Sequence, residues 1–225
     1  KFTYYMTGRE FEEKTFQPTG LSDEPLLEVR DLTAPKAFRN VNLNVRAGEV
    51  VGLAGLLGAG KTELVQAIFG SHKITSGEIY YKGKRVHYKA PFQSIRDGFG
   101  LVPDERRSLG LDMVFDIKDN TILPSMKLFR KWGIFQDHEA EKRAAYDISS
   151  KMNLKYYSLY QNVRKLSGGN VQKILVGREL SFNPSLLMAA YVVRGLDINT
   201  SYAIYGLLND LKKKGGAVIF VGEDL

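Results

Sequence analysis

The chain has 225 residues, of which 44% are hydrophobic and 25% charged, with a formal net charge of +7 and no cysteine. This is ordinary composition for one large folded domain, or one domain with a substantial insertion, and it excludes global disorder, disulfides, thiolate metal sites and a cysteine nucleophile. No apolar run approaches the roughly 18 residues of a bilayer-spanning helix, and the positive charge is spread thinly, with no cluster larger than Lys212, Lys213 and Lys214, which argues against a nucleic-acid partner.

In chain order, residues 1–25 read as a connector from a preceding domain, with Pro18, Gly20 and Pro25 and no sustained period. Leu26, Leu27 and Val29 suit a short strand. Residues 38–45 alternate at Val41, Leu43 and Val45, which predicts a half-buried strand. Residues 49–57 form an apolar run that suits a buried parallel strand. A helix with Leu64, Val65, Ile68 and Phe69 is predicted to stop at Gly70, and residues 78–81 form a strand closed by a Lys82-Gly83 turn. From about 112 to 182 the chain is helix-rich and more charged, with an amphipathic run over 138–152 and a second helix over 170–180, and reads as an inserted helical subdomain. A strand over 186–193, a helix over 201–214 and a strand over 217–221 follow. Strand–helix alternation at both ends predicts an α/β fold with a mostly parallel sheet.

Gly55-Leu56-Leu57-Gly58-Ala59-Gly60-Lys61-Thr62 fits G-x-x-x-x-G-K-[ST] between a predicted strand and a predicted helix. Glycines let the backbone turn its N–H groups onto phosphate oxygens, and the helix N-terminus adds its dipole. Lys61 can reach the β- and γ-phosphates, and the Thr62 hydroxyl can be offered to Mg²⁺. The candidate phosphate-binding set is Gly55, Leu57, Gly58, Ala59, Gly60, Lys61, Thr62 and Glu63. A plain glycine-rich turn is the alternative reading.

Leu166-Ser167-Gly168-Gly169-Asn170 stands before a predicted helix and resembles the LSGGQ signature of ABC ATPases. Read alone, the string is also a helix cap with Ser167 or Asn170 as the capping residue. The resemblance covers nearly the whole chain: 75–79 (TSGEI) matches the strand start after the phosphate-loop helix, and Arg194-Gly195-Leu196-Asp197 matches the D-loop, with Asp197 as its acidic residue. A finer resemblance is to the second half of the tandem ATPases of bacterial sugar and nucleoside importers. It is carried by 102–107 (VPDERR), by 167–173 (SGGNVQK) and by Met6-Thr7-Gly8-Arg9-Glu10. It implies a P-loop sheet core with an antiparallel β subdomain and the helical insertion, ATP and Mg²⁺ as ligands, and a head-to-tail pair with a second nucleotide-binding domain. It also implies a signature that acts on the partner's ATP, an integral membrane permease, and a place on the cytoplasmic face of the plasma membrane. Nucleoside is slightly favoured over sugar as solute.

The chain departs from the family pattern where hydrolysis is done. Aligned on residues 194–197, Ala190 stands at the Mg²⁺-organising aspartate, Tyr191 at the water-polarising glutamate, Glu223 at the switch histidine and Asp104 at the Q-loop glutamine. Phosphoryl transfer needs a placed metal and an oriented water, so this site is expected to bind ATP and hydrolyse it poorly. Asp104 and Glu223 are the speculative catalytic substitutes. Phe38 is the nearest aromatic to an adenine platform, although its alternating strand favours packing, and Trp132 and Phe135 serve either the core or a permease contact. The competing functions are a soluble ABC protein acting on nucleic acid or the ribosome, and a regulatory nucleotide-binding module without turnover.

Overall fold

The computed structural model describes residues 23–131 and 134–222. Nearly all of the expected connector, the Met6–Glu10 match, Trp132 and Glu223 lie outside the described residues.

Two four-stranded sheets form the framework. The antiparallel sheet has the order β2 (Phe38–Arg46), β1 (Pro25–Ala34), β4 (Ser76–Tyr81), β5 (Lys84–Val86). Its central strand β1 is longer than the short run expected over 26–29, because it pairs on both sides: Val29 lies opposite Leu43 of β2 and Ile79 of β4. The parallel sheet has the order β3 (Val50–Leu53), β10 (Ala217–Val221), β9 (Leu186–Ala190), β6 (Phe99–Val102). The two inner strands β9 and β10 are buried at every residue, as continuous apolar runs in a covered parallel sheet must be.

Alternation along these strands builds two cores. Met188, Ala190, Ile219 and Val221 face one side, with Leu64, Val65 and Ile68 of the first helix α1 (Lys61–Phe69) and the antiparallel sheet. Leu187, Ala189, Val218 and Phe220 face the other, with Ile204 and Leu208 of the last helix (Ile198–Lys213) and Ile174 and Leu175 of helix Gly168–Ser181. Each of the larger of these side chains, the Leu, Ile, Val, Met and Phe, contributes about 1.5–3 kcal/mol when taken from water, so the sheet is held from both faces.

Between β6 and β9 the chain forms a helical region. Helices Ile117–Ile122, His138–Lys151 and Gly168–Ser181 surround Ile117, Ile122, Ala145 and Met152, with a two-residue hairpin (Arg130–Lys131, Phe135–Gln136) beside them. The last two helices cross closely at Gly177, where a methyl group would stand 2.7 Å from Met152 Cγ. Short elements that sequence periodicity did not resolve, helix Pro91–Arg96 and strand β6, complete the fold.

Two predicted strands are shorter than expected. The run over 49–57 ends at Leu53, because Gly55 turns the chain with φ 142°. The run over 186–193 ends at Ala190, because Tyr191 adopts φ 49°, a left-handed conformation that a strand cannot contain.

Candidate nucleotide-binding site

The loop between β3 and α1 holds Gly55, Gly58 and Gly60 at φ 142°, 80° and 84°. Residues with a Cβ adopt these values only at a cost, so the glycines are what the loop shape requires. Gly60 is the N-cap of α1 and supplies no side-chain cap. The amides of Gly58, Gly60, Lys61 and Thr62 find no backbone partner among the described residues. Uncapped N–H groups at a helix N-terminus form a ready anion site.

Lys61 is buried, 8% exposed, and no carboxylate pairs with it among the described residues. Its ammonium donates to the Gly55 carbonyl and, at 3.2 Å, to the Gly222 carbonyl beyond β10. These neutral acceptors take two of its three donors without cancelling its charge, which leaves a cation at the loop.

A cavity of about 280 Å³ opens here. Leu57 through Glu63 form one wall, Asp104 and Glu105 a second, and Tyr191 and Arg194 a third. The candidate phosphate-binding residues therefore gather at one cavity, apart from Gly55, whose carbonyl accepts from Lys61. Asp104 reaches the same cavity from the end of β6. The Thr62 hydroxyl and the Asp104 carboxylate are hard oxygen donors, and Mg²⁺ is usually held by one or two such groups plus phosphate oxygens and water, so the donor set fits that ion. Ala190, 1% exposed, contributes none.

Tyr191, which the sequence alignment set at the position of the water-polarising glutamate, forms part of the cavity wall. Its backbone N–H donates to the Val221 carbonyl at 2.8 Å, which pins the residue beside the end of β10. The Lys61 ammonium lies 5.7 Å from its ring centroid and the Arg194 guanidinium 5.8 Å, both within cation–π range. Sequence alone gave no signal for this pairing. Phe38 is buried in the core, where a methyl on Gly60 would meet its Cβ at 3.3 Å, so it packs behind the loop rather than presenting a face to solvent.

Leu166, Ser167, Gly168, Gly169 and Asn170 do not line this cavity. Ser167 is the N-cap of helix Gly168–Ser181, accepting from the Asn170 N–H at 3.4 Å, so of the two capping candidates it is the serine that caps. Asp197 caps the last helix: its carboxylate accepts from the Thr200 N–H at 3.0 Å and the Thr200 hydroxyl at 2.7 Å, and these bonds hold its pKa below the usual range. A structural role and an interface role are compatible at both positions.

Comparison with known proteins gives the family. Residues 38–189 match the family described as ABC transporter. The ribose import ATP-binding protein of Corynebacterium glutamicum is 37% identical over 220 residues, covering 98% of this chain and 42% of its own. That of Bacillus subtilis is 33% identical over 220 residues, covering 98% and 44%. The chain thus spans less than half the length of these relatives. The ATP-binding cassette MJ0796, solved as a post-hydrolysis dimer bound to ADP and Pi, superposes with a TM-score of 0.75 at 27% identity over 88% of each chain.

Proposed function

The chain belongs to the ABC transporter family, and on that premise we propose that it is the second ATP-binding domain of a tandem importer ATPase, for sugars or nucleosides, whose own site holds ATP but hydrolyses it weakly. The observation that carries this is the cavity itself: a phosphate loop with Lys61 at its base, facing Tyr191 where a hydrolytic site needs a carboxylate, with Ala190 buried at the end of β9 before it. The relatives' names support importer function, and their length supports a paired domain in the same protein.

In this reading the amides of 58–62 and the Lys61 ammonium bind the phosphates, the ammonium leaving the Gly55 and Gly222 carbonyls for a stronger charged partner. Thr62, with Asp104 opposite, suits Mg²⁺, which when bound neutralises phosphate charge. Tyr191 offers no proton acceptor of carboxylate strength to orient an attacking water, so bound ATP persists. Leu166–Asn170 lie away from this cavity, and a head-to-tail pair would carry them to the nucleotide of a second ATP-binding domain, with Asp197 beside that interface. The pair would drive an integral membrane permease at the cytoplasmic face of the plasma membrane. No described helix is long and apolar enough to cross a membrane.

The test is ATP binding and Mg²⁺-dependent turnover measured together, with Lys61→Ala as control. Binding that needs Lys61, with negligible turnover, supports the reading. Turnover that disappears in Lys61→Ala would mean that Asp104 or Glu223 replaces the missing carboxylate, and would sink the weak-site proposal.

A further inference from the structure

Alternation along β9 sets Met188 and Ala190 on the α1 side of the sheet and Leu187 and Ala189 on the other. An extended residue 191 would follow Ala189. Instead Tyr191 turns left-handed, φ 49°, and its ring stays on the α1 side, with the phosphate loop. A bulky side chain adopts that conformation only at a cost, and such strain persists where the surroundings fix it. Here two hydrogen bonds do so: the Tyr191 N–H donates to the Val221 carbonyl, and the Tyr191 carbonyl accepts from the Arg194 N–H at 3.0 Å.

The residue so placed is 8% exposed, yet it lines the phosphate-loop cavity. A buried phenol ordinarily has a hydrogen-bond partner. Among the described residues none bonds the Tyr191 hydroxyl, and it is not sealed from solvent as the Tyr81 hydroxyl is. The Lys61 ammonium, itself on a residue 8% exposed, stands 5.7 Å from the ring centroid. An oxyanion held about 2.8 Å from that ammonium fits between the two and can accept from both. Loop amides cradle the inner phosphates of a nucleotide and the lysine spans the outer two, so the phosphate that meets a group on a separate wall is the terminal one.

We propose that Tyr191 makes this site selective for ATP over ADP: its hydroxyl donates to an oxygen of the terminal phosphate that Lys61 also holds. This rests on the reading that the cavity binds ATP. A glutamate at this position would repel the phosphate oxygen and take a proton from water. The phenol does the reverse, giving a hydrogen bond to the phosphate and leaving water without a base. The substitution that weakens hydrolysis thereby tightens the hold on the unhydrolysed nucleotide.

The experiment is equilibrium binding of ATP and of ADP, each with Mg²⁺, to the whole chain by calorimetry, for the parent, Tyr191→Phe and Lys61→Ala. Tyr191→Phe keeps the ring and both cation contacts and removes only the hydroxyl. ADP lacks the terminal phosphate, so the ratio of the two affinities reads the hydroxyl and cancels any uniform loss from altered packing. Loss of a hydrogen bond to a charged group predicts a Kd for ATP raised about 10- to 100-fold in Tyr191→Phe with the Kd for ADP unchanged. An affinity ratio within about twofold of the parent, while Lys61→Ala still weakens both nucleotides, would overturn the Tyr191 assignment and leave the nucleotide-site reading standing. If Lys61→Ala binds both nucleotides as the parent does, or the parent binds neither, the nucleotide-site reading fails and takes this proposal with it.

Discussion

The Lys61 ammonium sits 5.7 Å from the centre of the Tyr191 ring, and among the described residues no carboxylate forms an ion pair with it. An aromatic face attracts a cation by about 0.5–2 kcal/mol and yields it readily to a phosphate, whereas a fixed carboxylate would hold metal and orient water. If the proposed weak site holds, Ala190→Asp with Tyr191→Glu should raise Mg²⁺-dependent turnover by roughly 100-fold or more over the parent chain, read as phosphate release at saturating ATP. Turnover that stays at the parent level in a folded double variant would show that carboxylate loss is not what limits this site.

The phosphate loop is also a packing element. Gly60 holds φ 84°, and a methyl there would stand 2.4 Å from the Ala37 carbonyl oxygen, an atom of backbone that cannot swing away. Gly60→Ala combines left-handed strain of about 1–2 kcal/mol with that collision. It should lower stability by about 2 kcal/mol or more and abolish ATP binding, whereas Gly58→Ala, with open space around its Cα, should cost only the strain. Chemical denaturation of the two variants separates them; equal losses would refute the collision argument.

Asp197 offers a way to separate capping from interface chemistry. Its carboxylate accepts from the Thr200 N–H and hydroxyl, so Asp197→Ala should destabilise the chain by about 1 kcal/mol, while Asp197→Asn keeps an equally good cap. If the negative charge matters at the domain pair, Asp197→Asn will lower turnover in the assembled protein with its denaturation midpoint unchanged. An Asn variant as active as the parent would confine Asp197 to capping.

Glu141 predicts an acid sensitivity in the helical region. Burial pushes this carboxyl up, but hydrogen bonds from Gln136 and His138, with the Lys118 ammonium 3.4 Å away, outweigh it and hold the pKa below the ordinary glutamate value. A depressed folded-state pKa contributes stability that is present above the unfolded value, near pH 4.3, and is lost as pH falls through the folded value. Glu141→Gln should flatten the loss of stability below about pH 5 relative to the parent, as followed by thermal midpoint against pH. Parallel midpoint curves would rule out this carboxylate as a contributor.

Helix Gly168–Ser181 carries a second buried carboxyl, Glu179, with the opposite sign. Burial raises Glu179 above the ordinary glutamate range, despite Arg178 Nε at 2.9 Å and the Leu101 N–H at 3.3 Å. Its contribution to stability is thus present below the unfolded pKa and is lost as pH rises through the folded one. Glu179→Gln should therefore gain stability relative to the parent as pH rises from about 4 toward neutrality, measured by denaturant midpoint. A gain that does not grow with pH would mean that Arg178 already compensates the charge.

Contiguous residues determined whatever depends on local backbone geometry. Gly55, Gly58 and Gly60 ahead of Lys61 specify a loop that no other residue types adopt cheaply. The apolar runs at 186–190 and 217–221 specify covered parallel strands, and Gly70 ends α1 in a left-handed cap. The same pattern overran at 191–193, since apolarity says a residue is buried but not that it is extended: Tyr191 is buried at φ 49°. Which side chains meet was decided only by tertiary structure. The strand order β3-β10-β9 sets Tyr191 beside Lys61, and the helical region folding back on β6 lays Arg106 against Gly168. Such contacts join segments far apart in the chain, and the free energy that selects them is the burial of two cores rather than any motif spacing.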